Sequence, residues 1–228
     1  MGGLSYNQWS SNGISVYDAP TFAGSLVHDS NLGDSRPFVE AGRGLTPYEQ
    51  VKYSRNYLSS AGVDLGIATA VNRALSLFAR VGWLARLGPT DEAAVYGDLS
   101  RNWMVTGGYS EATTAINPYP ATVAPGLDTL NVARIGAQYT RLFNDNIEAN
   151  VSAGIAYGFG AGSGSVVNVY DFGPIAPNAL PNTTWFEYGA RVGYRFNDSL
   201  VVDAFVIGTA GGEVGATAHG GIALRVAF

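Results

Sequence analysis

The chain carries little of the chemistry that catalysis usually needs: two histidines, His28 and His219, and no cysteine among 228 residues. A catalytic imidazole requires a nucleophile or carboxylate within hydrogen-bond reach. His28 has Asp29 beside it, but neighbours along a strand point to opposite faces, so the two do not form a working pair as they stand. His219 falls on the face that carries Arg225 and is expected to join a charge network with it. No group of His, Asp or Glu has ligand spacing, so no catalytic residue, metal or cofactor is expected. "GFGAGSGS" (158–165) has the glycine content of a phosphate-cradling loop, yet it lacks the GxGxxG spacing and no helical pattern follows. It reads as a strand end and a loop. The triplets "NVS", "NTT" and "NDS" match the glycosylation acceptor, a pattern short enough to arise by chance.

What remains is charge placed at a fixed period. In "IEANVSAGIAYGF" (147–159) and "TWFEYGARVGYRF" (184–196) every second residue is apolar, and Glu148, Glu187, Arg191 and Arg195 occupy the alternate positions. Both stretches outrun the usual strand of about 5–6 residues and suffice for the about 9–11 that a tilted strand needs to cross a bilayer. "LSLFARVGWLARL" (75–87), "NVARIGAQYTRLF" (131–143) and the terminal "AHGGIALRVAF" (218–228) repeat the pattern. Arg141 alone falls on an apolar row, near a strand end where it can snorkel to an interface. Fainter strands are expected over 3–11, 14–28, 36–45, 62–71 and 200–210.

Were the apolar rows turned inward, Arg80, Arg86, Arg134, Arg191, Arg195 and Arg225 would each meet lipid at up to about 2–4 kcal/mol near the midplane. Their sum exceeds the whole stability of an ordinary domain, about 5–15 kcal/mol. These arginines are therefore expected to line a lumen with His219, neutralised by Glu40, Asp64, Glu148, Glu187 and Asp203, while inward glycines leave room for water or a threaded chain. Trp83, Tyr157, Phe159 and Phe186 are expected at one membrane interface, and Phe143, Tyr194, Phe196 and Phe228 at the other.

Composition agrees with a membrane wall. Only 14% of residues are charged, against about 25% in soluble domains, and no apolar run reaches the about 18 residues of a helical span. A net charge of -5 and the lack of a basic block argue against nucleic acid as a partner. The first twenty residues have neither a basic start nor the apolar core of about 7–15 residues that marks a secretory signal. Together these features predict an all-β, antiparallel transmembrane β-barrel: one domain over 1–228, monomeric, with about ten strands. Short periplasmic turns are expected at "SNLGDS" (30–35), "NRA" (72–74), "NDN" (144–146) and "NDS" (197–199), and long extracellular loops at 107–128 and 173–184.

The stretch from about 130 to 228 resembles the C-terminal translocator domain of bacterial autotransporters: "GIAYGFG", a long loop, "FEYGARVGYRF", the turn "NDSL", another strand, and the closing "GGIALRVAF". "FARVGWLARLG" (78–88) is similar to the aromatic Gly-Trp strand of such domains. The resemblance implies a twelve-stranded barrel in the bacterial outer membrane, with two further spans to be found within 91–110, and a conduit or anchor for an N-terminal passenger that this chain does not contain. The alternating hydrophobic ending in Phe resembles the signal read by the barrel-assembly machinery, so that machinery and the lipid bilayer are the expected partners. A small porin-like or structural barrel without passenger is the alternative, since barrels of about eight strands enclose no open channel; a barrel enzyme is the second. His28→Ala and His219→Ala are each expected to leave the cell-surface hydrolytic profile unchanged, and lost hydrolysis in either variant would establish the enzyme.

Overall fold

The computed structural model describes residues 2–11, 14–59, 62–170, 173–175, 181–197 and 199–226. Every regular element among them is a strand. In chain order these are β1 (Gly2–Ser11), β2 (Ile14–Asp29), β3 (Ser35–Ser59), β4 (Gly62–Arg86), β5 (Asp91–Thr106), β6 (Tyr109–Ser110), β7 (Ala121–Val123), β8 (Gly126–Leu142), β9 (Ile147–Gly162), β10 (Val167–Val169), β11 (Gly173–Ile175), β12 (Thr183–Asn197), β13 (Leu200–Ala210) and β14 (Thr217–Val226). Ten of them close into one antiparallel barrel, in the order β1, β14, β13, β12, β9, β8, β5, β4, β3, β2. The last strand returns to the first, with Gly2 opposite Val226. Closure leaves no edge of unpaired N–H and C=O groups, which lipid could not satisfy. The short strands β11, β10, β7 and β6 make a separate four-stranded sheet out of the two long loops.

The period of two sorts the wall into faces. Leu26 and Ile135 are 82% and 77% exposed, and Val81, Val95, Leu99, Ile155, Val192 and Ile222 are exposed with them. Arg134, Arg191 and Arg225 point the other way, into ion pairs inside. A continuous apolar belt of this size has no place on a soluble surface; it is the lipid face of a transmembrane barrel. The connections at 30–34, 87–90 and 143–146, together with the end of β12 and the start of β13, lie on one rim, beside the paired ends Gly2 and Val226. The loops after β5 and β9 and the connection after β13 lie on the other.

Three strand assignments differ from the sequence reading. The segments 62–71 and 75–87 are one strand, β4, because 72–74 does not turn: Asn72 instead donates to the Tyr53 hydroxyl at 3.1 Å and accepts the Gly107 N–H at 3.1 Å. The strand over 36–45 continues to Ser59, so β3 and β4 pair along their whole lengths. At 25 residues each, against about 9–11 for a span, they rise well past the apolar belt as a hairpin. Finally, 91–106 forms a single strand, β5, and not two. One fusion and one addition leave the count at ten.

Two expectations about faces change as well. Since β4 runs through to the turn at 87–90, Trp83 stands at the rim of Phe143, Tyr194 and Phe196, and not with Tyr157, Phe159 and Phe186. The inward glycines are not vacant: the Phe38 ring lies over Gly82, and the Tyr96 ring lies 2.6 Å from where a Cβ on Gly136 would stand. Phe228 lies outside the described residues. Gly82→Ala would drive its methyl into the Phe38 ring and the Val95 carbonyl, so it is expected to destabilise the barrel by about 1–3 kcal/mol. Urea unfolding followed by heat-modifiable mobility measures this, and Phe38→Ala in the same chain should recover part of the loss.

Candidate functional site: an ion-paired lumen

Register builds the centre of the lumen. Glu40, Arg80, Asp98 and Arg134 are successive partners across β3, β4, β5 and β8, followed by Ala156 on β9 and Trp185 on β12. Directly paired residues share a face, so this row alternates acid and base. Asp98, with its side chain 3% exposed, sits between Arg80 at 3.1 Å and Arg134 at 3.2 Å. Arg134 also donates to Glu187 at 2.9 Å and to the Ser100 hydroxyl at 2.9 Å. Glu187 accepts the Trp185 indole N–H at 2.8 Å, and that ring is buried against Val132, Ala156 and Leu130. Arg80 stacks over the Tyr96 ring, 4.2 Å from its centroid. The charges and rings together form a layer across the barrel.

A second layer lies nearer the short-turn rim. Glu148 and Asp203 share a row with Gly193 between them, and a Cβ there would stand 2.6 Å from an Asp203 oxygen. The missing side chain lets the two carboxylates approach. Arg191 lies 3.1 Å from each of them. Arg225 binds Asp203 at 2.6 Å and also Glu148, and Arg195 reaches Glu148 at 3.5 Å. Asp203 is 1% exposed; removing one partner from such a buried set typically costs about 3–5 kcal/mol.

The remaining expected lumen residues are scattered. Arg86 stands at the short-turn rim, its Nε 3.9 Å from Glu92, which Arg36 holds at 2.7 Å. His219 faces a void of about 300 Å³ that Tyr96, Arg134 and Glu187 also line. It lies six residues from Arg225 on β14, a rise of about 20 Å, so the two share no charge network. His28 pairs with Val39 on the outward face. Asp64 is buried opposite Tyr57 on the protruding hairpin, well away from the charges it was expected to neutralise. Arg141, on the outward face, lies 3.8 Å from Asp91. Sequence reasoning missed Asp98, the carboxylate between two arginines, and a second group near the long-loop rim.

That group fastens the loop after β5 to the inner face of the hairpin. Glu111, its side chain 4% exposed, takes two hydrogen bonds from Arg55, at 2.8 and 2.7 Å. It also accepts the Ala121 N–H at 2.8 Å and Asn117 at 3.2 Å. Asn117 accepts the Tyr57 hydroxyl at 2.8 Å, and Tyr109 stacks on Tyr53 with centroids 4.7 Å apart. Below this latch a chamber of about 630 Å³ opens inside the barrel, and a void of about 270 Å³ lies at the central layer.

No protein-family model matches the chain, and no curated protein matches it. Solved structures that align over its whole length include the NanC porin, at 8% identity with all of that chain covered and a TM-score of 0.46. The translocator domain of the autotransporter NalP from Neisseria meningitidis aligns at 11% identity, with 86% of that chain covered and a TM-score of 0.49. The transport unit of the autotransporter AIDA-I from Escherichia coli aligns at 13%, with 88% covered and a TM-score of 0.34. Translocators and channels thus both stand among the barrels this chain is similar to. The membrane assignment rests on the chain's own outward face.

Burial works to raise the Glu111 carboxyl, but the hydrogen bonds from Arg55, the Ala121 N–H and Asn117 outweigh it and hold the group below its ordinary value. A carboxyl lowered in the folded state stabilises that state above its unfolded pKa, and the contribution disappears as pH falls through the folded value. Hydrogen-exchange protection over 109–123 is therefore expected at neutral pH and should decline below the ordinary carboxylate range. Glu111→Gln should weaken it already at neutral pH, by about 1.5–3 kcal/mol for the lost charge-assisted bonds.

Proposed function

We propose that this chain is a β-barrel of the bacterial outer membrane, with its short-turn rim in the periplasm, that is closed at rest and admits only what its two ion-paired layers let pass. The observation that carries this reading is the pair of layers themselves. Arg80, Asp98, Arg134 and Glu187 knit neighbouring walls at the centre, and Glu148, Asp203, Arg191 and Arg225 knit them again toward the short-turn rim. A permanently open pore would leave such charges facing water, whereas Asp98 and Asp203 are almost fully withdrawn from it. The work is one of binding and passage, not catalysis. The chain is a monomer in the bilayer, delivered there by the barrel-assembly machinery through its final strand.

A passenger-bearing translocator is the second reading, favoured by the construction of both layers from side chains. Long arginines can swing aside for an extended chain where a backbone plug could not. Reading the gene upstream of the first codon separates the two. In planar bilayers the native barrel is expected to conduct little, and Asp203→Asn, which leaves Arg191 and Arg225 short of a counter-charge, should raise conductance several-fold. High conductance of the native barrel would overturn the closed state.

A further inference from the structure

The chamber above the central layer is not explained by closure alone. Its walls include Thr21 on β2 and Gly162 on β9, strands half the ring apart in the ten-stranded order. Residues so placed can share a void only from within the barrel. The volume of about 630 Å³ lies in the range of small-molecule sites, about 300–1,000 Å³. Ala74, Met104 and Leu130 make much of its lining apolar, and Thr46, Ser76 and Asn102 add neutral hydroxyl and amide groups.

One charged residue, Asp128, lines it. Both carboxylate oxygens are engaged: one accepts the Thr106 hydroxyl at 2.9 Å, the other the Ser163 hydroxyl at 2.7 Å and the Gly164 N–H at 3.3 Å. An anion would find repulsion there and no counter-charge. Three donors fill most of the about four acceptor sites of that carboxylate, so little of it is left for a cation. The chamber shares Ser76 and Asn102 with the void below it, which is walled by Arg80, Asp98 and Arg134. An entering molecule would thus stop at the central layer. On the β3–β4 side the next positions outward, Asn72 and Tyr53, are held by Gly107 and Tyr109 of the latched loop.

From this geometry we infer a binding site in the upper lumen for an uncharged, mostly apolar small molecule bearing one hydroxyl or carbonyl group. The body of the molecule lies against Ala74, Met104 and Leu130, and its polar group meets the row of Thr46, Ser76 and Asn102. The inference deepens the closed-barrel reading by naming what the cell-exterior half would hold, and it rests on that reading.

Trp185 reports on the site, because it packs against Leu130, which lines the chamber. The test uses the detergent-refolded full chain carrying Trp9→Phe, Trp83→Phe and Trp103→Phe, so that Trp185 is the sole indole. Titration with 4-bromobenzyl alcohol, a neutral quencher, is expected to give saturable quenching of Trp185, and 4-bromobenzoate is expected to give at least tenfold weaker apparent binding. Ala74→Phe fills the chamber and should raise the apparent dissociation constant for the alcohol at least tenfold while heat-modifiable mobility is kept. Should that variant fail to fold, Ser76→Leu serves in its place. Quenching that rises linearly and equally in native and filled chains reports partition into the micelle and overturns the site, as does equal saturation by the anion. Conductance reads the closed state independently: low conductance without saturation sinks the chamber alone, and high native conductance sinks the closed barrel.

Discussion

Hydrocarbon around the outside of the sheet decides where the charges of the membrane-spanning wall must go. A strand offers only two faces, and an arginine on the lipid face near the midplane costs about as much as a large core defect. The charged residues at the middle heights of the spanning wall are thereby directed into the lumen, where water is scarce and an unpaired charge is costly in its turn; Arg101 and Arg141, on the outward face, lie toward its two ends. The solution is acid and base in register. Glu40, Arg80, Asp98 and Arg134 come into one row because their strands pair without a slip at that height. A shift of one residue in β5 would turn Asp98 toward lipid and bring Arg101 inward.

The same constraint explains why ion-paired layers cross the lumen. Inward positions filled by long arginines need nearby carboxylates, and a ring of ten strands is narrow enough for neighbours to reach one another. Glycine assists by omission: Gly193 leaves room for the Glu148 and Asp203 side chains that Arg191 and Arg225 bridge, and Gly82 receives the Phe38 ring. What is left open is the chamber, bounded by the central layer below and partly covered by the loop that Glu111 latches to Arg55. Its lining is mostly neutral because the charged layers lie lower down.

Alternation was legible wherever nothing interrupted it. The strands over 147–159 and 184–196 read directly, as did the inward direction of Arg134, Arg191 and Arg225. β5 was obscured because Arg101 breaks its apolar row. In the barrel that residue pairs with Leu77 and Asn131 toward the long-loop end of the belt and lies 5.3 Å from the Trp103 ring. With β5 hidden, Asp98 was hidden too. The false turn at 72–74 has a related cause: Asn72 and Arg73 look like turn residues, and no local feature announces that Asn72 binds Gly107 in a loop 35 positions away.

The sequence by itself determined the class of structure and the faces of those strands whose alternation is unbroken, because a period of two and a shortage of charge are local properties that a bilayer reads without regard to distant partners. Only the tertiary structure decided which acid meets which base, which glycines are covered, how far β3 and β4 rise beyond the belt, and that a neutral chamber remains above a charged layer. Those outcomes depend on register between strands far apart in the chain. Register is fixed by closure of the whole ring, and no single strand contains it.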